Sequence, residues 1–224
     1  MRKRAMGTEG KTAVPAYYRG EFESFFADIY DAFFSAVTFF QGGRLRREAV
    51  DALHIEKGQS AIDFGCGTGG LTVLLAEKVG AEGHVLGLDL SQRMLKHAIR
   101  KAKDWPNIGF IRMNFEDVDT SRKYDAAAVG FAAHEVPAGA RAALYKKAYD
   151  ALNEGGRFLV FDYARVETPL VRLLYRMFLR AVEPHGLEYV GEDHREALAR
   201  AGFTQAYHKR TALVFDIAVY RKGG

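Results

Sequence analysis

A single cysteine, Cys66, stands among 224 residues, so no internal disulfide can form and nothing points to an oxidising compartment. Long apolar runs are missing too: no uninterrupted stretch approaches the roughly 20 residues that a membrane-spanning helix needs. The basic start Met1-Arg2-Lys3-Arg4 is not followed by the apolar segment of a secretory signal. Neither sign of charge dominates, 32 Lys+Arg against 28 Asp+Glu leaving a net +4. The basic residues fall in small groups, Arg2 to Arg4, Arg44 to Arg47 and Lys209-Arg210, with no recognition-helix, zinc-finger or aromatic RNA-binding signature, so no nucleic-acid partner is expected. No His/Cys/Asp cluster has metal-ligand spacing, and His134-Glu135 does not extend into H-E-x-x-H, so no metal is expected. Internal repeats are absent. What these absences leave is the expectation of a soluble, cytoplasmic protein.

What is present is a chain with 48% hydrophobic and 27% charged residues, long enough for one domain with a sizeable core. Near the start Tyr18, Phe22, Phe25, Phe26, Ile29 and Phe33 recur at helical spacing, with Glu21, Asp28 and Asp31 on another side. Gln41-Gly42-Gly43 breaks that pattern, and 44–53 reads as a second helix. Beyond Gly58 the texture alternates. Strands are predicted over 61–64, 84–89, 108–113, 125–130 and 157–163. Helices are predicted over 71–79, from the Ser91 cap to Lys103, and over 138–152. Repeated β–α units of this kind indicate a parallel sheet covered on both faces. The tail reads differently: helices over 169–182 and 192–201, then strands over 204–209 and 212–220 as an antiparallel hairpin.

Gly65-Cys66-Gly67-Thr68-Gly69-Gly70 fits G-x-G-x-x-G between a strand and a helix. Its glycines let a ligand approach the backbone, and the following helix offers free N–H groups to an anion. Dinucleotide dehydrogenases share the pattern. Asp63 discriminates between ligands. Facing the phosphates of a dinucleotide, it would make like-charge pairs costing roughly 4 kcal/mol each at about 4 Å and an effective dielectric near 20. S-adenosylmethionine instead brings an ammonium to the acid and a carboxylate to the backbone donors.

With Ile62-Asp63-Phe64-Gly65-Cys66-Gly67-Thr68-Gly69, Leu86-Gly87-Leu88-Asp89-Leu90-Ser91 and Leu152-Asn153-Glu154-Gly155-Gly156-Arg157-Phe158 in that order, the chain resembles the class I, Rossmann-like methyltransferases dependent on S-adenosylmethionine. The resemblance implies a seven-stranded α/β sheet of order 3-2-1-4-5-7-6 with the last strand antiparallel. It divides a single domain into an N-terminal helical cap (1–57), a donor-binding core (58–163), and cover helices with a closing hairpin (164–224). It places Asp63 at the methionine amino group and Gly65, Cys66, Gly67 and Thr68 around its carboxylate. Asp89 falls at the ribose hydroxyls, and Leu90 beside the adenine. Asn114 and Phe115 stand where relatives often carry an acid and an alanine; Asn114 could accept from the adenine amino group. Phe131 and His134 follow the fourth predicted strand at its carboxyl end, where open α/β sheets place their sites, and His134 is the candidate general base or channel wall.

The acceptor side is less specific. Ile29-Tyr30-Asp31 with Gly42-Gly43 and the Arg44-to-Arg47 group, Thr168-Pro169-Leu170 with Leu174-Tyr175, and Ala201-Gly202-Phe203 loosely resemble the quinone-biosynthesis methyltransferases and related small-molecule enzymes. The expectation is an apolar pocket bounded by Tyr17, Tyr18, Tyr163 and Tyr175. It would receive a small apolar or aromatic acceptor, lipid- or quinone-like, methylated by in-line displacement. Arg172, Arg176 and Arg180 share one face of the 169–182 helix, a solvated charged face or a contact for an anionic membrane. Two other functions use the same elements: a nicotinamide-dependent oxidoreductase on the glycine turn, and a non-catalytic binding protein on the same fold.

Overall fold

The computed structural model describes residues 14–18, 28, 41–182, 185–212 and 214–223. Helix α1 (Gly42–Leu53) leads into strand β1 (Ser60–Phe64), helix α2 (Gly70–Val79), strand β2 (His84–Asp89), helix α3 (Gln92–Lys101) and strand β3 (Ile108–Arg112). Strand β4 (Tyr124–Gly130), helix α4 (Ala138–Ala151) and strand β5 (Leu152–Tyr163) complete the alternating part. Helices α5 (Pro169–Val182), α6 (Gly186–Gly191) and α7 (His194–Arg200) then precede strands β6 (Phe203–Thr211) and β7 (Phe215–Lys222). The strands form one sheet of order β3-β2-β1-β4-β5-β7-β6. Pairings are parallel from β3 to β5 and antiparallel between β5 and β7 and between β7 and β6. This is the expected Rossmann-like sheet.

The central strands are buried on both faces, which explains their uninterrupted apolar runs. Ala126, Ala127, Ala128 and Val129 of β4 are all buried, their small side chains leaving room for the helices that cover the sheet. Leu45, Ala49, Val50 and Leu53 of α1 close the core on one side and Tyr145 and Ala148 of α4 add to it. Helix α3 starts at the expected cap, with the Ser91 hydroxyl accepting from the Met94 N–H at 3.0 Å.

Several boundaries differ from expectation, among them the last strand, expected over 212–220 and found at Phe215–Lys222. α1 begins at Gly42 rather than at 44, so Gly42 and Gly43 lie inside its first turn. β5 begins at Leu152 rather than 157, because a bulge between Tyr124 and Ala126 lets Leu152 pair ahead of the Gly155 turn (φ 72°) and Arg157 resume the ladder. The six-residue α6 has too short a period to be read from the chain. The aromatic helix expected from Tyr18 to Phe33 lies outside the described residues, apart from Tyr17, Tyr18 and Asp28.

Candidate active site

The carboxyl ends of β1, β2 and β4 open onto a cleft. Three left-handed glycines, Gly65 (φ 66°), Gly67 (φ 52°) and Gly69 (φ 77°), turn the chain out of β1 and into α2. At Gly65 the requirement is steric as well as conformational, since a Cβ there would lie 2.6 Å from the Ala132 Cβ of the loop after β4. At Gly67 a Cβ would meet nothing within 4 Å, which leaves open space over the turn. Helix α2 has no side-chain cap at its N-terminus, so its first N–H groups are available to an anion.

Two acids frame this turn. Asp63 is 1% exposed. Its Oδ2 accepts from the Thr72 hydroxyl at 2.6 Å, while its Oδ1 is buried with no hydrogen-bond partner. Burial, reinforced by Asp89 and opposed by the Thr72 bond and Arg46, pushes its pKa up to about 7. Asp89, at the end of β2, accepts from the Gly67 N–H and the Ser91 N–H, each at 2.8 Å. Arg46, from α1, also lines the cleft; its guanidinium atoms lie 3.1 to 3.3 Å from where a Cβ on Gly70 would be. A cation thus finds an unsatisfied carboxylate at Asp63, an anion finds Arg46 and the α2 terminus, and paired hydroxyls find Asp89. These residues fit the aminoacyl and ribosyl groups of S-adenosylmethionine. A dinucleotide would set its phosphates against both acids.

Of the residues expected in the donor site, Asp63, Gly65, Cys66, Gly67, Thr68, Asp89, Leu90, Phe115 and Phe131 all line the cleft, as do Tyr17 and Tyr18. The Cys66 thiol is pushed well up by burial, with Asp89 and Asp63 adding to it. Gly87 makes room for it: a Cβ there would come within 3.1 Å of the Cys66 Sγ and 2.9 Å of the Phe110 ring. Cys66 is therefore a packed, protonated side chain and not a nucleophile.

Four expected residues do not line the cleft. The Asn114 carbonyl oxygen caps the short 3-10 turn Phe115–Asp117 by accepting from the Glu116 N–H, and its amide donates to the Glu116 carboxylate at 3.1 Å. Those bonds hold the group at the turn and leave it one lone pair and one N–H. Tyr163 lies behind Phe131, with ring centroids 5.9 Å apart, and Tyr175 lies behind Tyr163 at 6.0 Å. The two tyrosines form a second layer.

His134 does not itself line the cleft. Its Nδ1 sits 2.6 Å from Asp162 Oδ1, and its Nε2 lies 3.4 Å from Glu135 Oε1. Burial alone disfavours its charged form, but Asp162 and then Glu135 outweigh burial and raise its pKa well above the ordinary histidine value. Its ring packs against Tyr163 at 4.5 Å instead of lining the cleft. Glu135, its neighbour, does line the cleft.

Several residues that shape the cleft were not anticipated. Arg46 belonged to a basic group read as surface charge and as part of the acceptor-side resemblance, not as a lining residue of the glycine turn. Asp162 carried a signal, a carboxylate inside the apolar strand Phe158–Tyr163. Arg141 of α4 is fully buried; its Nη1 donates to the carbonyls of Ala133 at 3.1 Å and Val136 at 2.8 Å, and its Nε donates to Glu192 at 2.8 Å. It thereby ties down the loop carrying His134 and Glu135. Phe131, at the start of that loop, holds a left-handed backbone (φ 53°), unfavourable for a bulky side chain and kept by its N–H bond to the Phe161 carbonyl at 2.9 Å. Among the described residues, no group of three or more His, Cys, Asp or Glu could hold a metal ion, and no helix is long and apolar enough to cross a membrane.

Comparison with known proteins places this geometry. Residues 15–198 match the family model described as the ubiE/COQ5 methyltransferase family. The demethylmenaquinone methyltransferase of Listeria welshimeri is 28% identical over 170 residues, covering 75% of this chain and 71% of the relative. That of Staphylococcus saprophyticus is 30% identical over 160 residues, covering 69% and 66%. Among solved structures, magnesium protoporphyrin IX methyltransferase from Synechocystis, with bound S-adenosylhomocysteine, superposes with a TM-score of 0.72 at 20% identity, covering 92% of this chain and 98% of that one. At that identity the likeness speaks for the fold.

Proposed function

The chain belongs to the ubiE/COQ5 methyltransferase family and is an S-adenosylmethionine-dependent methyltransferase, and on that premise we propose that its acceptor is a small aromatic, quinol-type molecule. The observation that carries this reading is the asymmetry of the cleft. Its β1–β2 end presents Asp63, Asp89 and Arg46, whereas its β4–β5 end presents Phe131, Phe161 and Val136, with Glu135 as the acid; Tyr17 and Tyr18 also line the cleft. The demethylmenaquinone specificity in the names of the relatives points the same way.

When bound, S-adenosylmethionine supplies an activated methyl group on its sulfonium. In our reading Asp63 holds the ammonium, Arg46 and the α2 terminus hold the carboxylate, and Asp89 holds the ribose hydroxyls. Leu90 and Phe115 flank the adenine. Phe131 and the tyrosines exclude water and hold the acceptor ring in line, an orientation that can supply about 7–11 kcal/mol of the barrier. Glu135, as the acid on the cleft wall, accepts the acceptor's hydroxyl proton. His134, with Asp162, acts as a positioning residue for the Glu135 loop.

The test is transfer of a labelled methyl group to a panel of reduced quinols, simple phenols, amines and phospholipids. Quinols should be methylated at the highest kcat/KM. Transfer to an amine or phospholipid with quinols inert would sink the acceptor assignment while leaving the family intact.

A further inference from the structure

Helix α5 is fastened to the domain along one narrow face, where Tyr175 and Leu179 are buried and Val171 and Phe178 half-buried. On a second face Leu170, Leu173, Leu174 and Met177, at helical spacing, are 68%, 58%, 60% and 63% exposed. They are four of the seven large hydrophobic side chains exposed among the described residues, so the exposed apolar surface is gathered on this helix rather than scattered. On a third face Arg172, Arg176 and Arg180 follow one another every fourth residue, all exposed. The helix PLVRLLYRMFLRAV contains no acidic residue.

An apolar stripe bordered by a purely cationic one complements a surface that is anionic at the top and apolar beneath. A second copy of the helix is a poorer match. It would bring arginines to arginines, with no acid on α5 to offset them. We propose that α5 is an interfacial helix seating the protein on an anionic phospholipid bilayer. Leu170, Leu173, Leu174 and Met177 enter the acyl boundary, and Arg172, Arg176 and Arg180 pair with lipid phosphates. The helix follows directly from the carboxyl end of β5. Its Tyr175 ring meets Tyr163, which meets Phe131 on the cleft wall, so the contact lies two aromatic rings from the acceptor. The usefulness of that arrangement rests on the quinol-type reading, since such an acceptor with an apolar tail resides in the bilayer; the surface itself does not depend on it.

The experiment is co-sedimentation of the full chain with vesicles of phosphatidylcholine alone or mixed with phosphatidylglycerol. Binding should require phosphatidylglycerol and weaken with salt. The variants Leu173→Glu/Leu174→Glu and Arg172→Gln/Arg176→Gln/Arg180→Gln should each lower the partition coefficient by about 100-fold. None of these side chains lines the cleft, so both variants should keep the wild-type melting temperature and donor affinity. The proposal is overturned if wild type does not bind, or if neither variant changes binding. It is also overturned if light scattering shows a wild-type dimer that Leu173→Glu/Leu174→Glu converts to a monomer, which would assign the face to a second copy. Methylation of a short-chain, water-soluble quinol without vesicles reads the acceptor separately. Its failure would break the quinol assignment without touching the vesicle result, and the reverse also holds.

Discussion

At the β1–β2 end of the cleft the polar groups face the ligand: Asp63 keeps an unpartnered oxygen, and Arg46 lines the opening. At the β4–β5 end they turn inward. His134 pairs with Asp162, and Arg141 donates to the carbonyls of Ala133 and Val136, which leaves apolar side chains and Glu135 on the wall. The first end is kept electrostatically unfinished, so that a charged ligand completes it. The second is finished internally, so that an apolar acceptor meets a rigid surface. Removing an internal pair should therefore cost folding stability, and removing a cleft-facing charge should cost affinity.

The largest effect should fall on the inward-turned end. His134→Ala leaves the buried Asp162 carboxylate without its cationic partner and should cost about 3–5 kcal/mol of stability in chemical denaturation. Because the His134 pKa is raised on folding, its contribution is fully present below the ordinary histidine pKa and is lost as pH rises through the raised one. The stability gap between wild type and variant should therefore be widest in mild acid. Turnover should fall less than about tenfold with the pH profile intact. A loss of 10²-fold or more, with an ionisation removed from the profile, would restore the general-base role and break the contrast between the two ends.

Next is the seam between them. Gly65→Ala forces a Cβ against Ala132 at a left-handed φ and should cost about 2–4 kcal/mol. It should be the substitution that lowers donor affinity and turnover together. Unchanged turnover would show that the glycine turn and the loop after β4 move independently.

Asp63→Asn sharpens the comparison because stability and affinity should move in opposite directions. The Asp63 pKa is raised to about 7, so its ionised form is a burden on the folded protein that grows as pH climbs from the usual carboxylate range through about 7. The amide removes that burden and should raise ligand-free stability by about 2–4 kcal/mol near pH 8. Donor affinity should drop by about 10–100-fold, and the wild-type rise in affinity through pH of about 7 should vanish. A variant that binds as well as wild type would end the ammonium assignment.

The smallest effect belongs to Tyr17→Phe. The hydroxyl is buried with no hydrogen-bond partner among the described residues, and burial followed by Glu116 pushes its pKa up to about 12. Donor affinity should change less than about twofold, because no donor contact depends on that oxygen. A larger shift, measured by calorimetry, would move Tyr17 from the acceptor side to the donor side.

The same contrast explains what could be read from the chain. The donor end was legible because backbone and local sequence build it. A glycine turn after a strand must be left-handed, an acid two residues before it must face what the turn binds, and Ser91 must cap the next helix. The order of the sheet followed from the family resemblance that these motifs carry. The acceptor end was not legible, because partners far apart in the chain decide it. His134 reads as a base on the cleft until the fold turns its Nδ1 onto Asp162, 28 residues later, and keeps the ring off the cleft lining. Asn114 reads as an adenine ligand until the 3-10 turn that it caps holds it off the cleft lining. Tyr163 and Tyr175 are at the right place along the chain but one layer too deep. Arg46 was hidden because a basic group on a helix ordinarily faces water, and only the packing of α1 against α2 turns one of its members toward the cleft.

The central claim is that the β1–β2 end is a charge-matched donor site, with Asp89 as its ribose ligand. Calorimetric titration of S-adenosylhomocysteine into wild type and Asp89→Ala tests it most directly, because that ligand carries the ribose and aminoacyl groups without the reactive methyl. The account predicts binding to wild type, and an affinity for Asp89→Ala about 100-fold weaker or worse, since two ribose contacts and the Gly67 and Ser91 anchors are lost together. Equal affinity in the two proteins would contradict it.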